Sequence, residues 1–264
     1  MQTEHTAIQH QFNRFKGTLA LVILLGLTAC SSPTPEAPST PTLTSTPPAP
    51  TATIVWFPAT ETPTPLPTKI NIPTPEQRPG IGEMLFSDDF TQKTHWQTSK
   101  TELGNVVFGK GDLTLAVAAE RRGLQSFFYQ PIPGDSYLEM TANPSLCRGR
   151  DTYGLLLRAE SDASFYRFVI ACTGEVRVER YRGGELAVLQ DWTLSGQVPP
   201  GAPLFLQLGV WMKGQELRFF INEVYQFSVS DPVFKAGQLG VFARTGDKPP
   251  LTVGFSKLKV YRLE

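Results

Sequence analysis

The sequence predicts an all-β domain, a sandwich or a barrel, from about residue 80 to the C-terminus. From Leu85 onward, short runs rich in β-branched and aromatic residues are separated by Gly, Asn, Asp or Pro, which is the spacing of such folds. Several runs alternate polar and apolar residues, the period of a half-buried strand. No segment keeps a helical period over roughly twelve residues, so we expect little helix.

Residues 1–29 show the pattern of a signal peptide. Arg14 and Lys16 precede an apolar run of about ten residues, Thr18–Leu27, which is too short for the roughly 20 residues of a membrane-spanning helix. A basic segment, a short apolar segment and small residues before a cleavage site are typical of exported proteins.

The tetrapeptide Leu27-Thr28-Ala29-Cys30 resembles the lipobox of bacterial lipoproteins. The resemblance implies cleavage before Cys30 and attachment of diacylglycerol to its thiol. Two or three acyl chains anchor a protein durably, so it also implies an extracytoplasmic lipoprotein held on a membrane at the cell surface. The alternative is an ordinary secretory signal with an accidental cysteine.

Residues 30–79 are predicted to be a disordered, lipid-anchored linker rich in Pro and Thr. This segment holds 14 of the 23 prolines of the chain. Proline fixes φ and donates no backbone hydrogen bond, which prevents regular helix or sheet. We expect polyproline II structure, with a reach on the order of 150 Å at about 3.1 Å per residue.

Within the domain of residues 80–264, alternation locates the candidate strands. In the run 175–181, two valines alternate with Arg177, Glu179 and Tyr181, so these three side chains are predicted to share one face. The predicted strands are 111–118, 124–130, 136–142, 153–160, 164–172, 175–181, 204–212, 216–221, 224–229, 238–243 and 253–261.

The domain contains two cysteines, Cys147 and Cys172. If 153–158 pairs antiparallel with 165–170, the chain ends that carry the cysteines leave the hairpin on the same side. An exported compartment permits a disulfide, which would close a loop of about 25 residues and contribute on the order of 3 kcal/mol. Two free buried thiols are the alternative.

Charge and motif content argue against several classes of function. The chain has 24 basic and 24 acidic residues and shows no basic stripe, which argues against nucleic acid as a partner. His95 is the only histidine of the domain, so a multi-histidine zinc site is excluded. The Gly-x-Ser-x-Gly motif of serine hydrolases is absent from the sequence.

A series of short motifs runs through residues 85–263 in a specific order. The motifs include Phe86-Ser-Asp-Asp-Phe90, Tyr153-Gly-Leu-Leu-Leu-Arg158, Phe165-Tyr-Arg-Phe-Val-Ile170, Leu217-Arg-Phe-Phe-Ile-Asn222 and Gly237-Gln-Leu-Gly-Val-Phe-Ala243. This series resembles the concanavalin A-like lectin/glucanase superfamily, and most closely the domain family called 3-keto-disaccharide hydrolase. The resemblance implies a jelly roll, a sandwich of two antiparallel sheets. It implies less about activity, because this fold hosts lectins, hydrolases and scaffolds.

No catalytic residue is predicted. Laminarinase-type members of this superfamily carry a Glu-x-Asp-x-x-Glu pattern on one strand, and that pattern is absent. Glu175 and Glu179 share a strand face, but Arg177 lies between them, which favours a salt-bridged surface over an acid–base pair.

Asp88 and Asp89 are the candidate metal ligands, because carboxylate oxygens suit Ca²⁺. Related closing strands often carry an acidic residue after the phenylalanine, whereas Ser256 follows Phe255 here. A pair that caps a turn is therefore the favoured alternative, and no other cofactor is expected.

The remaining candidate site is a surface that binds a sugar, since such sites combine flat aromatic rings with planar polar groups. The alternative is that the tryptophans lie in the core and the arginines are merely solvated. The candidate ligand-binding residues are Arg158, Arg167, Arg177, Glu179, Tyr181, Trp192 and Trp211.

These observations favour a non-catalytic, surface-anchored module that binds carbohydrate or a cell-envelope glycan. Two other classes remain open. One is a glycan hydrolase of the 3-keto-disaccharide hydrolase kind, which needs clustered carboxylates. The other is a structural or protein-interaction domain, which needs no groove of aromatic and polar groups.

Overall fold

A computed structural model of the chain describes residues 76–264. These residues form fifteen antiparallel strands in two sheets. None of them belongs to a helix that could cross a membrane. The predictions made for residues 1–29, for Cys30 and for most of the linker lie outside the described residues.

The larger sheet has nine strands. These are β1 (Ile81–Asp88), β2 (Ser99–Thr101), β3 (Gly104–Phe108), β4 (Leu113–Val117), β6 (Ser136–Leu146), β11 (Leu206–Lys213), β12 (Glu216–Ile221), β13 (Val224–Ser230) and β15 (Leu251–Leu263). Their order is β13-β12-β11-β6-β15-β4-β3-β2, and β1 pairs with β15 beside this path.

The smaller sheet has six strands. These are β5 (Gly123–Ile132), β7 (Thr152–Ser161), β8 (Ser164–Ala171), β9 (Glu175–Arg182), β10 (Glu185–Leu194) and β14 (Gly237–Arg244). Their order is β10-β9-β8-β7-β14-β5. The segment 95–97 extends the sheet beyond β5, because the Tyr129 N–H donates to the His95 carbonyl at 2.9 Å. Strand β10 forms the other edge.

The core fills the space between the sheets, as strand alternation requires. Val176 and Val178 of β9 are buried in it together with Phe168 of β8. Phe168 meets Phe219 of the other sheet with ring centroids 4.7 Å apart. The all-β, two-sheet prediction is therefore confirmed, as is the predicted alternation of β9.

Four strands, β1, β2, β3 and β10, were not predicted. Strands β2 and β3 span only three and five residues, which is too short for a clear period. Strand β10 forms an edge of the six-stranded sheet, and β1 pairs only with β15. Both strands are largely exposed. Edge strands bury little apolar surface, so their sequences carry a weak signal.

Arg158, a candidate ligand-binding residue, does not lie on an exposed face of the sheet. The register of β7 shifts around this residue, whose φ is 49°, and the side chain is buried, with 1% exposed. Its Nη1 donates to the carbonyls of Gly214 at 2.9 Å and Phe234 at 3.0 Å, and its Nη2 to that of Gly134 at 2.7 Å. Burial lowers the pKa of the guanidinium below its ordinary value. Arg158 therefore connects three loops, and its guanidinium is not exposed at the surface.

A disulfide joins Cys147 and Cys172 at the other end of the sandwich, with Cα atoms 5.7 Å apart. The hairpin that predicted it is present, since Tyr153 pairs with Ile170 and Leu157 with Tyr166. The disulfide prediction is therefore confirmed, and the alternative of two free thiols is excluded.

The last residues of the predicted linker lie on the outer face of the nine-stranded sheet. The Trp211 Nε1 donates to the Pro79 carbonyl at 2.9 Å, and the Arg218 guanidinium lies 4.4 Å from the Trp211 ring. Arg218 Nη1 also donates to the Gln77 carbonyl at 3.0 Å. Trp211 is thus covered by the chain, with 4% exposed, and does not offer a ligand a stacking surface.

We expect Arg158→Met to lower the free energy of unfolding by about 3 kcal/mol, because three carbonyl groups would lose a charged donor. Urea denaturation measures this, with Arg182→Met, an exposed arginine, as the matched control. Equal losses in both variants would contradict the role given to Arg158.

A Cys147→Ser/Cys172→Ser variant, which lacks the disulfide, should also lose about 3 kcal/mol of unfolding free energy. The reason is that the bond closes a loop of 25 residues and restricts the unfolded chain. Wild-type protein in reducing buffer should lose the same amount in urea denaturation. A variant as stable as the oxidised wild type would contradict the predicted loss of unfolding free energy.

Candidate functional site

The outer face of the six-stranded sheet, the face turned away from the other sheet, has an apolar floor. Alternation places every second side chain of these strands on this side. Phe127, Leu156, Phe165, Val169 and Phe242 pack there as a cluster that is separate from the main core, and each is at least 95% buried. Polar groups on this floor are therefore partly shielded from water.

One row of paired residues crosses this face from β5 to β10. The row consists of Phe127, Gly240, Leu156, Arg167, Glu179 and Val188. A Cβ on Gly240 would lie 2.8 Å from the Phe127 Cδ1, so the glycine lets the Phe127 ring lie across β14. The register of the strands thus places Arg167 directly opposite Glu179.

The Glu179 carboxylate is held between two arginines. Arg167 Nε donates to Glu179 Oε2 at 2.7 Å, and the Nη2 of Arg167 contacts the same oxygen. Arg177 Nε lies 3.2 Å from Glu179 Oε1. Only 5% of the Glu179 side chain is exposed, against 15% for Arg167 and 17% for Arg177. Guanidinium groups therefore contact both carboxylate oxygens, by hydrogen bonds at Oε2 and by an ion pair without a hydrogen bond at Oε1.

Aromatic rings fix the two arginines in place. The Arg167 guanidinium lies 4.7 Å from the centroid of Tyr181 and 4.9 Å from that of Phe242, and its Nη2 donates to the Tyr181 hydroxyl at 2.9 Å. The Arg177 guanidinium lies 5.4 Å from the Trp192 ring. Stacking of this kind favours cations over ring faces, so the arrangement is a continuous ladder of rings and guanidinium groups around one carboxylate.

Exposed apolar side chains border this ladder on β10. Leu186, Val188 and Trp192 are 49%, 46% and 38% exposed. Leu186 and Val188 pair with Tyr181 and Glu179 of β9, which places them on the same outer face. Chemically, the face offers a ligand planar hydrogen-bonding groups beside an accessible indole ring.

The structure brings together five of the seven predicted ligand-binding residues and separates the other two. Arg167, Arg177, Glu179, Tyr181 and Trp192 form the ladder, whereas Arg158 connects loops and Trp211 is covered by the linker. Sequence reasoning missed Phe127 and Phe242, although strand 238–243 was predicted. The pairing of β5 with β14 that brings these two rings onto the face is a long-range contact without a local signal.

Asp88 and Asp89 act as caps of local structure. Asp88 accepts hydrogen bonds from the Phe90 N–H at 2.8 Å and the Trp96 Nε1 at 3.1 Å, and Asp89 accepts one from the Thr91 N–H at 3.0 Å. Within residues 76–264, no three His, Cys, Asp or Glu side chains are grouped to hold a metal ion. The geometry fits the turn-capping alternative, and the calcium site stays a prediction.

Comparison with known proteins shows the fold. No protein-family model and no curated protein matches the chain, so the resemblance to 3-keto-disaccharide hydrolase domains stays a prediction.

Three solved structures are similar to the chain over most of their length. A Bacillus licheniformis β-glucanase is 10% identical, with a TM-score of 0.53, over 69% of this chain and 99% of its own. A protein of unknown function with a galectin-like fold from Bacillus subtilis is 13% identical, with a TM-score of 0.50, over 69% and 97%. A structure from work on endo-acting O-glycanases of the human gut microbiota, which initiate mucin breakdown, is 9% identical, with a TM-score of 0.51, over 69% and 100%. At these identities the likeness establishes the fold alone, and the predicted jelly-roll sandwich is confirmed.

Proposed function

We propose that the domain is a non-catalytic carbohydrate-binding module that uses the outer face of the six-stranded sheet. The observation that carries this proposal is the Glu179 carboxylate, held between Arg167 and Arg177 beside the exposed ring of Trp192. Planar charged groups in fixed positions form paired hydrogen bonds with high geometric specificity, and neighbouring hydroxyl groups of a sugar match them.

The apolar part of the site suits the other surface of a sugar ring. A pyranose presents C–H groups on its flat sides, and an aromatic ring provides a complementary apolar platform. Trp192 is accessible for this purpose and is already oriented by Arg177. Because the ladder is preorganised, binding orders few side chains and loses little conformational entropy.

The fold comparison supports carbohydrate as the class of ligand. Two of the similar structures are named for enzymes that act on glycans, a β-glucanase and endo-acting O-glycanases. A fold alone does not define a function, so this likeness adds support to the site geometry and does not replace it.

The hydrolase alternative needs a second carboxylate. Glycosidases use two carboxyl groups roughly 5 to 9.5 Å apart, one of which donates a proton. On this face both oxygens of Glu179 contact arginines, which favours a structural role for this carboxylate in the ladder. Glu175 lies four residues away on β9, on the order of 13 Å along the strand, outside that range.

We also propose that the module is exported and anchored to a membrane through acylated Cys30. The described chain enters the domain on the outer face of the nine-stranded sheet, where Pro79 contacts Trp211. The ladder lies on the opposite side of the sandwich. The observation that supports the anchor is the lipobox-like tetrapeptide Leu27-Thr28-Ala29-Cys30, which follows a short apolar run.

Trp192→Ala in the full-length chain should weaken retention on insoluble glycans about tenfold, because loss of a stacking ring removes about 1.4 kcal/mol. Pull-down on a panel of polysaccharides that includes peptidoglycan measures this. Phe205→Ala, which removes an aromatic ring that is 73% exposed and lies outside the ladder, is the matched control. Equal retention of both variants would refute the assigned face.

The same assay separates the three classes of function when soluble sugar is measured as well. Binding without release supports the proposed module, whereas release of soluble sugar by the wild type supports a hydrolase. If the wild type neither binds nor releases sugar, the carbohydrate proposal fails and the exposed apolar edge β10 becomes a candidate protein-docking surface.

Cys30→Ser should abolish incorporation of labelled fatty acid when the full-length chain is expressed in bacteria, because the thiol is the proposed acylation site. It should also move the protein from the membrane fraction to the soluble fraction. The control, Ser31→Ala, should keep the label. Equal labelling of both variants would exclude lipidation at Cys30.

A further inference from the structure

Six cationic side chains gather at the end of the sandwich that carries the disulfide. They come from the loops at 118–122, 147–151 and 245–250 and from the end of β14, and all are exposed. We call this group the cationic end. Its members are Arg121, Arg122, Arg148, Arg150, Arg244 and Lys248.

Most of these cations have no carboxylate partner among the residues that the structure describes. Arg121 Nε pairs with Asp247 at 2.8 Å, whereas the other five make no salt bridge within residues 76–264. By contrast, Arg78, Arg167, Arg177, Arg180, Arg218 and Arg262 are all paired. The exposed acids of these loops are Glu120 and Asp247, so the cationic end carries a local excess of positive charge.

The backbone beneath the charges is firmly held. Asp151, which is 1% exposed, accepts the Arg148 N–H at 3.0 Å and the Gly246 N–H at 2.8 Å. The Thr245 hydroxyl donates to the Ala119 carbonyl at 2.6 Å, and the disulfide fixes the residue before Arg148. The three loops are therefore joined to one another, which limits the entropy lost when a ligand binds.

A cleft of about 340 Å³ opens between two of these loops. It is lined by Arg148, Gly149, Arg150, Asp247 and Lys248. Guanidinium groups bind carboxylates in a planar, two-bond geometry, which an ammonium group does not match. The cleft therefore suits a carboxylate group carried on a ligand that extends beyond it.

The cationic end is continuous with the ladder face. Arg244 lies two residues beyond Phe242 on β14, on the same side of the sheet and about 7 Å farther along. Phe242 in turn contacts Arg167. A single extended chain can therefore reach both regions.

We propose that the glycan bound by this domain is an acidic polysaccharide whose uronate carboxylates bind the cationic end. This inference rests on the proposed carbohydrate-binding function, and it adds the charge class of the ligand and a second contact region. It predicts that affinity falls as salt rises, because exposed charges are screened.

The test measures binding of polygalacturonate and of its methyl ester to immobilised full-length protein. The Arg148→Ala/Arg150→Ala variant should bind polygalacturonate at least about tenfold more weakly, since two charged hydrogen-bonding partners are lost. Its affinity should also depend less steeply on salt concentration than that of the wild type. The control double variant, Arg182→Ala/Arg262→Ala, removes the same charge from exposed positions outside the cationic end and should change affinity less than about threefold. Unfolding midpoints verify that all variants fold.

The outcomes separate this inference from the proposed function. The role proposed for the cationic end is refuted if the wild type binds ester and acid equally, or if the two double variants lose equal affinity. In either case the proposed carbohydrate binding stands. If the acid binds through Arg148 and Arg150 but Trp192→Ala has no effect on affinity, the sugar-binding role proposed for the ladder is refuted instead. Binding of a DNA oligonucleotide as tight as that of polygalacturonate would also overturn the assignment to uronates.

Discussion

The outer face of the smaller sheet depends on the burial of one charge, the carboxylate of Glu179. Removing an ion from water is costly unless partners and hydrogen bonds offset the loss. Arg167 and Arg177 provide that compensation from both sides, and each guanidinium in turn lies over an aromatic ring. Compensation of one carboxylate and stacking of two cations therefore order the same part of the surface.

The two ends of the sandwich have different means of support and different roles. At one end, the buried guanidinium of Arg158 connects three loops through their carbonyl groups, so this arginine is itself not available to a ligand. At the other end, the carboxylate of Asp151 and a disulfide hold the loops through backbone groups, which leaves the arginine side chains of these loops free to face solvent. The buried ion that joins the loops is thus a cation at one end and an anion at the other.

Local sequence periods predicted the parts of the site that lie within one strand or one hairpin. Alternation placed Arg177, Glu179 and Tyr181 together, and the hairpin β7–β8 predicted the disulfide between Cys147 and Cys172. Arg158 could not be placed, because a shift in strand register reversed its side chain. Trp211 could not be placed either, because a segment 132 residues away covers it. The cationic end was invisible for the same reason: its arginines are far apart in the chain.

Similarity of fold to glycan-degrading enzymes leaves the chemistry to be decided by the site itself. A glycosidase must keep one carboxyl group protonated and a second one charged, and it keeps both open to the substrate. Glu179 is not open in this way, since guanidinium groups contact both of its oxygens. The same contacts that would disable an acid catalyst make the surface rigid and polar. The proposed recognition of a sugar depends on that rigid, polar surface.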